Sequence, residues 1–158
     1  MAKNKIGGEL PLEQYRLAME GLPFVTVDIL FFNRLKTKTL LGKRANEPYA
    51  GVLYAFGGRL YKNEEFTDAA VRIAKKETGI SLSPDDITFV GVLNEINETS
   101  RFEGINYHAV DLYFGCIVDE KQLVVPDDQH SELEWVSVDD PTLHPNVQTR
   151  IVGALRAL

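Results

Sequence analysis

Residues 57–80 read GGRLYKNEEFTDAAVRIAKKETGI, and the fold is decided by how this stretch is read. The glycine pair Gly57–Gly58 lets the backbone turn tightly and approach a ligand closely. Glu64 follows, and Phe66 to Thr78 has the spacing of a helix that stops at Gly79. Phe66, Ala70, Ile73 and Glu77 recur three or four residues apart, so they share one helix face. A carboxylate at the end of an apolar face points inward or along the edge of the core. Burying its charge is costly unless a partner meets it, and a metal ion is the simplest partner. Gly79 with Ile80 reads as a left-handed stop closed by an apolar contact.

Working outward, residues 1–9 look loose and are expected to be flexible, whereas Leu10–Met19 has helical spacing. Pro23 ends that helix and opens PFVTVDILFF, rich in strand-forming residues. NRLKTKT is a polar turn and TLLGKR the returning strand, together a hairpin. VLYAF is a third strand that feeds the glycine pair. ITFVGVLNEI, INYHAVDLYFGCIV and LEWVSV supply further strands, separated by the polar loop NETSRFEG and the acidic loop DEKQLVVPDDQHSE. Asp139 or Asp140, before Pro141, is placed to cap a last helix, VQTRIVGALRAL. With no repeat, low-complexity tract or linker in view, residues 1–158 read as one domain. Strands on both sides of a central helix, with a helix at the end, predict an α+β fold with a mixed sheet between helices.

The 158 residues are enough for one sizeable core. A net charge of -6 argues against nucleic acid as a partner. An anionic small substrate would need local help from arginines and a cation. Cys116 is the single cysteine, set in the apolar run YFGCIV, and reads as a buried strand residue. Neither a signal-peptide core nor a bilayer-spanning run is visible, so no membrane partner is expected and the cytoplasm is the expected compartment.

The central stretch resembles the Nudix box, G-x5-E-x7-R-E-U-x-E-E-x-G-U, with U a bulky apolar residue. Gly58, Glu64, Arg72, Glu77, Gly79 and Ile80 stand in register. Ile73 and Lys76 occupy positions where the pattern has glutamates, and Ala74 is small for its slot. One branch, the GDP-mannose mannosyl hydrolases, tolerates such losses. Its PD-x-QH segment before an x-x-W strand is matched by Pro126, Asp127, Gln129, His130 and Trp135. The resemblance implies a Nudix α/β/α sandwich and a homodimer. It also implies magnesium, with manganese as the alternative ion, held by Glu77, Gln129 and the Gly57 carbonyl.

By the same resemblance His130 is the general base, and imidazole, titrating near neutrality, suits that role. Asp28, inside TVDILFF, Arg44, closing the hairpin, and Arg59, opening the box, are implied to act in catalysis and to hold the nucleoside diphosphate. Arginine grips phosphate oxygens in pairs. Glu64 reads as structural and Arg72 as a structural ion-pair partner, while His108 and His144 stay unassigned. The expected reaction is hydrolysis of a nucleotide sugar, of the GDP-mannose or GDP-glucose type, at the anomeric carbon. Two other readings remain open. One is pyrophosphate cleavage at phosphorus, with carboxylates supplied by Glu95, Glu98 or Glu103; the other is a nucleotide-sugar binding module without turnover.

Overall fold

The computed structural model describes residues 5–122, 124–125 and 130–158. Helix α1 covers Leu12–Gly21, and strands β1 (Phe24–Phe32) and β2 (Lys38–Arg44) form the expected hairpin. Strands β3 (Leu53–Tyr54) and β4 (Phe56–Arg59) precede helix α2 (Phe66–Thr78). Strands β5 (Ile87–Asn97), β6 (Tyr107–Ile117) and β7 (His130–Ser137) and helix α3 (Pro145–Ala157) complete the chain. Among the described residues all seven strands join one sheet. It is mixed, because β1 runs parallel to β6 and antiparallel to β2 and β4.

Alternation along β1 sets the layers. Val27, Ile29 and Phe31 point to one face, where they pack with Ala69, Ala70, Ile73 and Ala74 of α2. Leu30 and Phe32 point to the other, against Val147, Ile151 and Ala154 of α3. A strand buried on both faces reads as a nearly continuous apolar run, which is what FVTVDILFF shows. The sheet therefore lies between two helices, as the sequence predicts. Helix α2 stops at Gly79, whose φ of 76° is left-handed and whose N–H reaches the Lys75 carbonyl at 3.0 Å. None of the described helices is long and apolar enough to cross a membrane.

The hairpin is shorter in pairing than its two strands. β1 and β2 are registered only at Phe31↔Leu40 and Phe32↔Thr39. Beyond that point they diverge, and residues 53–59 fill the fork. β3 pairs with β2 at Gly42↔Tyr54, while β4 pairs with β1 from Thr26↔Arg59 to Ile29↔Phe56. The single strand expected at VLYAF is therefore two short ones with different partners. Gly57 and Gly58 lie within β4, not in the tight turn that a glycine pair suggested.

Other expectations shift in detail. The last helix is capped by His144, whose Nδ1 accepts the Asn146 N–H at 3.1 Å, and not by Asp139 or Asp140. Asp140 instead receives the Thr142 N–H at 2.9 Å. In α1 only Met19 is buried, leaving Leu12 and Leu17 exposed. Phe66, grouped by spacing with the buried face of α2, is 49% exposed. Residues 5–9, within the stretch expected to be loose, lie against the turn before α2: the Gly7 N–H meets the Lys62 carbonyl at 2.7 Å.

Candidate functional site

The fork between β1 and β2 opens into a cleft of about 530 Å³. Asp28, Gly57 and Arg59 lie on its β1–β4 wall. Arg44 and His130 lie on the β2–β7 wall, and Ile73, Lys76 and Glu77 of α2 also line it. All the expected site residues that the structure describes thus reach one cavity. Gln129, Pro126 and Asp127 lie outside the described residues.

Gly57 stands opposite Asp28 in the β1–β4 ladder. The Leu60 N–H bonds the Val25 carbonyl at 2.9 Å, and antiparallel pairs alternate in their bonding. The 28–57 pair is therefore one whose N–H and C=O groups turn away from β1, into the fork. There the Gly57 N–H donates to Oε2 of Glu77 at 3.2 Å. Within a strand one residue's N–H and C=O point the same way, so the Gly57 carbonyl and the Glu77 carboxylate converge. Glu77 is only 2% exposed although it ends an otherwise apolar helix face. Converging hard oxygens of this kind fit a magnesium-type cation. Among the described residues no three His, Cys, Asp or Glu side chains gather as a ligand cluster. The other two glutamate positions of the box are spent elsewhere. Ile73 is 1% exposed in the core under α2, and Lys76 bonds Glu9 at 3.1 Å.

Gly57 is needed for a second reason. A methyl group at its α-carbon would overlap Oδ1 of Asp28, so only glycine lets that carboxyl reach the wall. The same holds across the fork, where a methyl at Gly42 would overlap the rings of His130 and Phe56. His130 is the first residue of β7 instead of part of the preceding loop. A register shift between Gly42 and Arg44 sets it directly opposite Arg44. Its ring stands edge-on to Phe56, with centroids 5.1 Å apart, and is 6% exposed. Phe56 adjoins Gly57, so the imidazole and the Glu77 carboxylate approach adjacent residues of β4 from different elements. Arg44 Nε donates to the Pro48 carbonyl at 2.8 Å. Arg59 lies over the rings of Tyr15 and Phe24.

The box arginine and its first glutamate are structural. Arg72 grips both Glu64 oxygens, at 2.7 and 2.9 Å, and bonds the Arg59 carbonyl at 3.0 Å. Burial pushes the Glu64 carboxyl up, but the Arg72 bonds outweigh it and hold the group below its ordinary range. His108 meets Asn94 Oδ1 at 2.8 Å across β5 and β6. Cys116 is buried as expected, and burial pushes its thiol up to about 12.

Arg150 of α3, which sequence reading missed, sits beneath the cleft. It is 2% exposed and touches three carboxylates: Asp28 at 3.0 Å, Asp111 at 2.9 Å and Glu95 at 2.8 Å. Thr26 donates to Asp111 at 2.9 Å and Tyr54 to Glu95 at 3.2 Å. Asp28 and Asp111 crowd the same guanidinium in a dry place, which disfavours their charged forms. Burial, then the neighbouring Asp111, push Asp28 well above its ordinary range despite Arg150, and burial raises Asp111 as well. Asp28 is therefore a carboxyl that binds its proton more firmly than an ordinary one and is pinned from below by Arg150. A signal for Arg150 was present: it falls with Val147, Ile151 and Ala154 on the apolar stripe of the last helix.

A profile of the NUDIX domain matches residues 22–156. The low-salt glycan biosynthesis protein Agl8 of Haloferax volcanii is 33% identical over 147 residues, 92% of this chain and 90% of that protein. Among solved structures, a MutT NUDIX hydrolase from Burkholderia pseudomallei superposes with a TM-score of 0.68 at 24% identity, over 84% of this chain and 98% of that one. The NUDIX domain of Shewanella oneidensis NrtR, complexed with ADP ribose, gives 0.67 at 18% identity, over 93% and 98%. With a motif in register, a sheet between two helices and a profile spanning most of its length, the chain belongs to the Nudix hydrolase family.

Proposed function

We propose that the chain hydrolyses a nucleotide sugar of the GDP-mannose or GDP-glucose type by attack of water at the anomeric carbon. The observation that carries this reading is the state of the box: Ile73 is buried in the core and Lys76 is paired with Glu9, so Glu77 alone of the three box positions offers a carboxylate to the cleft. Phosphorus attack in Nudix enzymes draws on several carboxylate-held ions. Departure of a diphosphate, already a stable anion, demands less. A glycan-biosynthesis relative over nine-tenths of the chain also supports a sugar substrate.

In this reading His130 takes a proton from water as the water oxygen bonds to the anomeric carbon. The bond from that carbon to the diphosphate oxygen breaks, and the electron pair leaves with the nucleoside diphosphate. Arg44 and Arg59 hold the departing charge from the two walls. Glu77, the Gly57 carbonyl and Gln129 would hold magnesium, which neutralises the diphosphate when bound. Asp28 forms the floor between them. Glu95, one candidate for replacing the lost box carboxylates, is instead committed to Arg150 and Tyr54. The exposed apolar residues Phe89, Val92 and Ile96 on the sheet-edge strand β5 support the further proposal of a homodimer.

Turnover in heavy-oxygen water tests the reaction. Label is expected in the free sugar, and His130→Gln is expected to slow its release by about a hundredfold to ten-thousandfold. Label in the nucleotide phosphate, or turnover by the variant at the parent rate, would sink the proposal.

A further inference from the structure

At the mouth of the cleft two arginines share one aromatic ring. Arg59, from β4, has its guanidinium carbon 4.9 Å from the Tyr15 ring centre. Arg101, from the connection between β5 and β6, lies 5.5 Å from the same ring and 5.5 Å from that of Phe102. Tyr15 comes from α1 and is stacked on Phe24 with centroids 5.2 Å apart, so the ring is a fixed platform. Phe102 meets it edge-on at 5.5 Å. Tyr15, Arg59 and Arg101 all line the cleft that holds Glu77 and His130.

Neither guanidinium has a hydrogen bond or ion pair among the described residues, although the chain carries a net charge of -6. The acidic group nearest in effect is Glu9, whose carboxylate is already bonded to Lys76 at 3.1 Å and to Tyr61 at 3.4 Å. Every other cleft cation has a partner: Arg44 the Pro48 carbonyl, Arg72 the Glu64 carboxylate, Lys76 Glu9. Two like charges beside one ring repel, and guanidinium donors left without acceptors forgo their strongest bonds. The arrangement is favourable once an anion with several oxygens lies between them, because each planar fork can then bond two oxygens.

We propose that Arg101 is the second arm of an anion clamp with Arg59, set by the Tyr15 ring, that grips the diphosphate of a nucleoside diphosphate derivative. The clamp rests on reading the cleft as a nucleoside-diphosphate site, and is independent of which bond is cut. Helix α1 and the β5–β6 connection thereby belong to the binding site, although both lie outside the box.

Calorimetric titration of the full chain with GDP, and separately with inorganic pyrophosphate, in the presence of magnesium tests it. Arg101→Ala is expected to weaken binding of both by about tenfold to a hundredfold, the effect of losing a charge-assisted contact. Arg101→Lys, which keeps the charge without the fork, should fall between, and Arg34→Ala on the distant β1–β2 turn should bind as the parent does. Arg101 is exposed, so its truncation leaves the core intact. Unchanged binding of both probes by Arg101→Ala, or a parent chain that binds neither, would overturn the clamp. Weakened binding by Arg101→Ala together with label in the phosphate leaves the clamp standing and overturns only the anomeric reading.

Discussion

Asp28 serves two surroundings at once: one oxygen faces the space that Gly57 leaves open, and the other is held by Arg150. Burial and Asp111 make it a stronger holder of its proton in the folded chain than in the unfolded one. The folded state therefore binds more protons above the ordinary carboxylate value of 3.8, and stability falls as pH rises through the raised folded value. Asp28→Asn, neutral at every pH, is expected to lose this dependence. Urea unfolding at a series of pH values checks it: the parent should lose stability relative to the variant as pH increases, and parallel curves would refute the assignment. At this scale the sequence was legible where a residue's environment is local. Glu77 and Ile73 were placed by helical spacing, and Glu64 by its position before a helix. It was less legible where the environment is assembled from afar. Arg150, Asp111 and Glu95 belong to three elements, and nothing in any one of them announces the other two.

Helix α2 is bounded by residues that act on their immediate neighbours, so its span from Phe66 to Thr78 could be read directly. The strand at VLYAF could not, because its division into β3 and β4 is imposed by two partners that diverge. The cap of α3 misled for a related reason: Asp140 fits a cap by type, yet the turn at Thr142 claims it first. Docking of α3 rests on Val147, Ile151 and Ala154 and also on the guanidinium between them. Arg150→Met is expected to destabilise the fold by about 3–5 kcal/mol, since the buried carboxylates lose their counter-charge. Chemical denaturation measures this. Adding Glu95→Gln to the Met variant should recover part of the loss, and strictly additive losses would exclude the network.

For the whole molecule, the cleft is the gap left where a hairpin opens and a later segment fills it incompletely. The layered α+β arrangement was legible from element order alone. The cleft's position was legible only through the family motif, since local patterns do not say where two strands part. The exposed Phe89, Val92 and Ile96 along the sheet-edge strand belong to this scale too. Sedimentation over a range of protein concentrations is expected to give twice the mass of one chain, and a single-chain mass throughout would exclude the homodimer.

The guanidinium that pins the C-terminal helix also bears on the chemistry overhead. Because Asp28 lines the cavity and also anchors the helix through Arg150, an anion arriving above acts electrostatically on the guanidinium below. Occupancy and cohesion of the fold are then thermodynamically linked, and a ligand too inert to react would still announce itself by tightening the last thirteen-residue helix.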